Sequence, residues 1–321
     1  MGDLAGSRPR ADHYAGFYDS AAGLVACVRQ FVEQGLDDAE PVLIAAPDSS
    51  TRLLREHLDG QGGLVSWADM TVIGDNPARI IPAIRSFASS HHGGPVRCVA
   101  QSLWTGRTAE QRLETIRHEA LINLAFADIP VSILCPYDVT LPDAGIAASA
   151  RLTHPILIRN GAAQPSPAYN AGTTFPAEYD GALDPAPDDA VSLPYRDDLH
   201  MVRAFVSEHA TGAGLAQRRI ADLVIAISEL AANTYRHTAA GGMVSVWVTA
   251  SELICQIEDT GHIAEPLVGR RRRLPDGNGG QGLWVVHELC DLVEIRTGPA
   301  GTKVRVHMQL GPTAPAGADA A

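Results

Sequence analysis

Cysteine is sparse and scattered in this chain: Cys27, Cys98, Cys135, Cys255 and Cys290 stand apart, with no C-x-x-C pair. No spacing supports a His/Cys metal site, and a dispersed, odd set argues for reduced thiols in a cytoplasmic protein. Most of them read as small core residues. Long apolar runs are missing too. The best candidate, Leu121 to Cys135, is broken by Asn123, Asp128 and Pro130, so nothing reaches the ~18 apolar residues of a membrane span. The N-terminus shows no apolar run of a signal peptide. Positive charge is short: 25 Lys and Arg against 37 Asp and Glu leave a net charge of −12, which argues against a broad nucleic-acid footprint. The G-x-x-x-x-G-K-[ST] phosphate loop is absent, so no P-loop chemistry is assigned. The expectation is a cytoplasmic protein with neither membrane nor nucleic acid as partner.

What is present divides the chain. A length of 321 residues is enough for two domains, each with its own core. In the first half, apolar β-branched runs at 41–46, 70–73, 96–101 and 131–136 read as strands. Helical patterns lie between them at 21–34, 50–59, 78–90 and 109–127. Such alternation predicts a mostly parallel sheet covered on both faces, a three-layer α/β domain over 12–158. Thr108 and Gln111 form a capping-box signature before the fourth helix. Residues 159–190, rich in Pro, Ala and Asp, read as a solvated linker, and 311–321 as a frayed tail.

From 191 to 310 the order changes. A strand at 191–195 leads to helices at 198–211 and 215–239, strands at 242–250 and 253–258, an irregular stretch at 262–280, a helix at 281–289, and strands at 292–297 and 302–309. Blocks of this kind predict a two-layer α+β sandwich, with helices on one face of a mixed sheet.

Four features of this second half carry chemistry together. Glu229 and Asn233 lie four apart and share a helical face. A carboxylate and an amide oxygen there suit hydrated Mg2+ and a polarised hydroxyl, although a solvated polar pair has the same spacing. Asp259 ends an apolar strand with Gly261 two residues on. A carboxylate there can accept from an amino group while glycine lets the backbone approach a flat ring; an ordinary acidic turn reads the same way. Gly280 and Gly282 open a helix, so free N–H groups and the helix dipole can face phosphate. The run Arg270–Arg273 just upstream suits a lid over polyphosphate, or a plain charged loop. Gly301-Thr302 opens the last strand, a hydroxyl beside the Asp259 position.

Taken in order, helix E-x-x-x-N, strand D-x-G, lid, G-x-G helix and strand GT resemble the GHKL ATPases, and the stretches 229–237 and 280–286 resemble the anti-sigma-factor serine/threonine kinases among them. The resemblance implies ATP and Mg2+ as cofactors and Glu229 as the general base for a seryl hydroxyl. It implies Asn233 as the Mg2+ ligand, Asp259 and Gly261 at adenine, Thr302 in support, and Gly280, Gln281, Gly282 and Leu283 around the phosphates. Arg236 and His237 follow the magnesium asparagine and touch phosphate or partner. It also implies a sigma factor and an anti-sigma-factor antagonist as protein partners. Holding ATP to sequester a partner without phosphotransfer is the alternative. A histidine kinase of the usual build is not expected, because the Pro-rich linker cannot form the phospho-acceptor helix.

In the first half, His13, Tyr18, Trp104, Glu119, Tyr137 and Asp138 fall in pieces that resemble the MEDS sensory domain, a degenerate relative of RecA-like folds on bacterial regulators. That resemblance implies a small sensed ligand near strand carboxyl ends, with those six residues as candidate contacts. Core packing is the plainer role for each. A homodimer is left open as the assembly.

Overall fold

The computed structural model describes residues 11–58, 62–141, 145–159, 161–169, 179–238, 240–271 and 281–311. The chain forms two compact units, Met1–Tyr179 and Asp180–Ala321. No helix among the described residues is long and apolar enough to cross a membrane.

The first unit runs β1 (Asp12–Tyr18), α1 (Ala21–Asp37), β2 (Val42–Ala46), α2 (Asp48–Leu58), β3 (Val65–Asp69), α3 (Met70–Ile73), α4 (Ile80–Ser90), β4 (Val96–Ala100), α5 (Ala109–Ala125), β5 (Val131–Asp138), α6 (Gly145–Thr153), β6 (Ile156–Arg159) and β7 (Ala162–Pro165). The sheet order is β3-β2-β4-β5-β1-β6-β7, parallel except for the antiparallel β6–β7 pair. Successive strand residues point to opposite faces. Tyr14 and Leu134 therefore join Leu24, Val28 and Phe31 of α1 on one side, while His13 and Cys135 point to α5 on the other. That gives the three layers. Thr108 and Gln111 close the capping box of α5.

Asp12–Tyr18 is a central strand with no counterpart in the sequence reading. Two readings change. Met70–Ile73 is a helical turn, because the Asp69 carboxylate accepts from the Thr71 N–H at 2.8 Å and starts a helix there; the strand is the preceding Val65–Asp69. In the stretch read as a solvated linker, 162–165 pair with β6 and Leu183 is buried.

The second unit runs β8 (Val191–Tyr195), α7 (Leu199–Gly212), α8 (Gln217–His237), β9 (Gly242–Val248), β10 (Glu252–Asp259), α9 (Gln281–Leu289), β11 (Leu292–Gly298) and β12 (Gly301–Gln309). The sheet, β11-β12-β10-β9-β8, is antiparallel throughout rather than mixed. α8 has its apolar positions at helical spacing, Ile220, Leu223, Ile227 and Leu230. They bury against Val244, Val246, Cys255, Ile257, Val304 and Val306 of the sheet. Each such side chain contributes roughly 1.5–3 kcal/mol when fully buried.

The other face of this sheet is polar yet covered. Both ring nitrogens of His307 meet carboxylates, Glu252 at 2.9 Å and Glu294 at 3.0 Å. Arg305 donates to Gln256 Oε1 and to the Asp184 carbonyl, and Arg296 to the Gly181 carbonyl. These bonds fix residues 181–184 along that face.

Candidate functional site

The second unit holds a cavity of about 180 Å³ between α8, the end of β10 and the start of β12. Its lining includes Leu230, Asn233, His237, Asp259, Gly261, Leu283 and Thr302. The antiparallel register places Thr302 directly opposite Asp259. Asp259 points to the helix side of the sheet, where its Oδ2 accepts from the Thr234 hydroxyl at 2.6 Å and its Oδ1 from the Gly261 N–H at 2.8 Å. Thr234 in turn accepts from the Tyr195 hydroxyl at 3.0 Å. A carboxylate held by two donors keeps one orientation and remains an acceptor for a third. Thr302 donates to the Gly261 carbonyl at 2.9 Å, which pins the turn after β10. A Cβ at Gly261 would lie 3.0 Å from Asp259 Oδ1 and 3.1 Å from Thr238 Cγ2, so glycine lets this turn run tight beside the carboxylate.

Glu229 and Asn233 sit one turn apart on α8, half-buried. The first turn of α9 packs on them: a Cβ at Gly282 would meet Glu229 Oε2 at 2.7 Å and Asn233 Nδ2 at 3.4 Å. The N-terminal end of α9 therefore abuts the carboxylate–amide pair. Gln281 is exposed at that end and Leu283 is buried against the cavity. Arg236 donates to Asn233 Oδ1 at 2.8 Å. Arg270 is buried. Gly280, Arg272 and Arg273 lie outside the described residues.

In the first unit, three of the six candidate contacts converge. His13 Nε2 is 3.2 Å from Glu119 Oε2, and the Tyr137 hydroxyl is 3.5 Å from His154 Nε2. Burial, reinforced by the neighbouring His154, lowers the His13 pKa to about 4. The other three lie elsewhere. Tyr18 and Asp138 pair across β1 and β5 and line a shallow depression with Asp19, Ser20 and Thr140. Trp104 stacks on the Arg107 guanidinium, 3.7 Å from the ring centroid.

Residues 195–308, which contain the whole described cavity, match the family described as the histidine kinase-like ATPase domain. Residues 12–155 match the MEDS family, the methanogen/methylotroph DcmR sensory domain. The chain joins a MEDS domain to a histidine kinase-like ATPase domain. A solved structure, the RsbU and RsbW domains of Rv1364c from Mycobacterium tuberculosis, aligns at 21% identity with a TM-score of 0.30, over 40% of this chain and 34% of that one. The chain thus spans about a third of that relative's length. Comparison with curated proteins gives no match.

Two residues of the ATPase domain escaped the sequence reading. Thr234 and Tyr195 complete the support of Asp259. Thr234 had a signal: it continues the buried face of α8 after Leu223, Ile227 and Leu230, where a hydroxyl needs a partner. In the MEDS domain, Cys135 and His154 join His13 and Glu119 across separations that no spacing pattern reports.

Proposed function

We propose that the ATPase domain binds ATP with Mg2+ and phosphorylates a serine on an anti-sigma-factor antagonist, that it captures a sigma factor, and that the MEDS domain tunes both in response to a small ligand. The observation that carries this reading is the Asp259 carboxylate, locked by Thr234 and Gly261 at a cavity lined by Asn233, which lies one turn along α8 from Glu229. Asp259 would accept from the exocyclic amino group of adenine. Thr302 would hold the turn over the ring. Gly282 would keep the helix end close to the phosphates, and Gln281 would border them.

Asn233 Oδ1 is a hard oxygen of the kind Mg2+ takes. When bound, Mg2+ would neutralise charge on the phosphates. Glu229 would orient the seryl hydroxyl and take its proton as the new P–O bond forms and ADP leaves. Arg236 would release Asn233 Oδ1 and turn its guanidinium toward phosphate.

Incubation of the full chain with γ-labelled ATP, Mg2+ and the antagonist encoded nearest to it tests the reading. Phosphoserine on the antagonist with wild type, and none with Glu229→Ala, is the expected result. No transfer by wild type, with normal ATP binding, would favour the second reading: an ATP-holding module that sequesters its partner. The Arg236–Asn233 bond favours that second reading, because it occupies the metal-binding oxygen.

A further inference from the structure

His13, Glu119, Cys135 and His154 are all buried in the MEDS domain, and one ligand atom from each lies within 4.8 Å of every other. Among the described residues this is the one such group of three or more His, Cys, Asp or Glu side chains. The register brings two of them together: His13 and Cys135 lie two rungs apart on the same face of the β1–β5 pair. Glu119 comes down from α5, and His154 follows α6.

Four observations give this cluster the form of a metal site. The first is spacing. His13 Nε2 to Glu119 Oε2 is 3.2 Å, Cys135 Sγ to Glu119 Oε2 is 3.3 Å, Cys135 Sγ to His13 Nε2 is 3.4 Å, and His154 Nε2 to Glu119 Oε2 is 3.5 Å. Metal–ligand bonds of ~2.0–2.3 Å give tetrahedral edges of about 3.3–3.6 Å. Charge-assisted hydrogen bonds are shorter, near ~2.8 Å.

The second is ring orientation. His154 Nδ1 donates to the Ala150 carbonyl at 2.9 Å, which commits the proton to that nitrogen. His13 Nδ1 donates to Asn123 Oδ1 at 3.2 Å, and Asn123 is oriented by its own Nδ2 donating to the Thr153 carbonyl. Both Nε2 lone pairs therefore aim at the cluster centre, as outer partners make them do around metals. The third is the carboxylate: the Ser102 hydroxyl donates to Glu119 Oε1 and leaves Oε2 to face inward. The fourth is donor chemistry: two imidazoles, a thiol and a carboxylate converge, all four buried, with no Lys or Arg among them.

We infer that His13, Glu119, Cys135 and His154 bind one divalent transition-metal ion, zinc by the chemistry of the set, in a closed tetrahedral site inside the MEDS domain. Imidazole, thiolate and carboxylate together suit Zn2+ rather than Mg2+ or Ca2+. Four protein ligands and full burial leave no open position, so the ion would tie β1, α5, β5 and the segment after α6 together. This site is separate from the nucleotide cavity and does not depend on it.

The test uses the purified full chain, stripped with chelator and titrated with Zn2+ or Co2+ alone. The expected result is one equivalent per chain and a higher melting temperature with metal. The Co2+ form should show intense visible bands of tetrahedral cobalt and a near-ultraviolet sulfur-to-cobalt charge-transfer band. Cys135→Ser should lose the charge-transfer band and at least tenfold in affinity. Sub-stoichiometric metal in wild type with no thermal shift would overturn the inference, as would a six-coordinate cobalt spectrum or equal binding by folded Cys135→Ser. The wild-type cobalt spectrum decides the matter even if that variant fails to fold.

Discussion

Gly282, at the start of α9, lies so close to Glu229 of α8 that a Cβ there would stand 2.7 Å from the glutamate Oε2. Gly282→Ala should therefore displace Glu229 rather than unfold the domain. Alanine is the better helix former by up to ~1 kcal/mol, so the melting temperature should hold or rise. Phosphotransfer should fall by about tenfold or more, roughly 1.4 kcal/mol of barrier. Equal rates for the variant and wild type would show that Glu229 does not need this packing.

The Thr234 hydroxyl is the link between Asp259 and Tyr195. Thr234→Val keeps the shape and removes the link. The folded state should lose about 1–3 kcal/mol, the usual cost of a buried polar group left unmatched. Urea denaturation should show a lower midpoint at unchanged slope. ATP affinity should fall as well, and Asp259→Asn should weaken it further.

His307 gives a pH signature. Burial alone would lower its pKa, but hydrogen bonds to Glu252 and Glu294 outweigh it and raise the value to about 9. Arg305 also faces Glu294, at 4.0 Å. A histidine raised above its unfolded value stabilises the fold fully below about pH 6.5 and loses that contribution as pH climbs through about 9. The urea midpoint of wild type should drop between those two values. His307→Gln should flatten the drop; an unchanged slope in the variant would assign it to other groups.

Thr108 caps α5 by accepting from the Gln111 N–H at 3.2 Å, while Gln111 Oε1 accepts from the Thr108 N–H at 3.1 Å. Thr108→Ala should cost about 1 kcal/mol, read from the denaturant midpoint. Thr108→Ser should restore most of it.

The second unit was the more legible half. The strand at 191–195 and the helix at 281–289 stand where the pattern placed them, because apolar period and polarity agree along those stretches. The capping box of α5 was equally plain, since both its members lie within four residues. β1 was harder. A central parallel strand covered on both faces shows no polar alternation, and Gly16 in its middle weakens the strand signal. Met70–Ile73 misled for the opposite reason: a β-branched run was too short to outweigh the Asp69 cap that turns it helical.

For the candidate sites the difference is one of distance along the chain. Glu229, Asn233 and Thr234 lie on one helix, so their shared face follows from periodicity. Asp259 and Thr302 meet through strand register alone, and a sequence read by itself does not give register. His13, Glu119, Cys135 and His154 come from two strands, a helix and a loop. No spacing rule spans them; the fold alone brings their ligand atoms within 4.8 Å of one another.

Calorimetric titration of the full chain with ATP, with and without Mg2+, tests the central claim most directly. One site per chain, tightened by Mg2+ and lost in Asp259→Asn while that variant still melts cooperatively, is the expected result. Absence of binding heat at millimolar nucleotide and metal, at two temperatures, would contradict it.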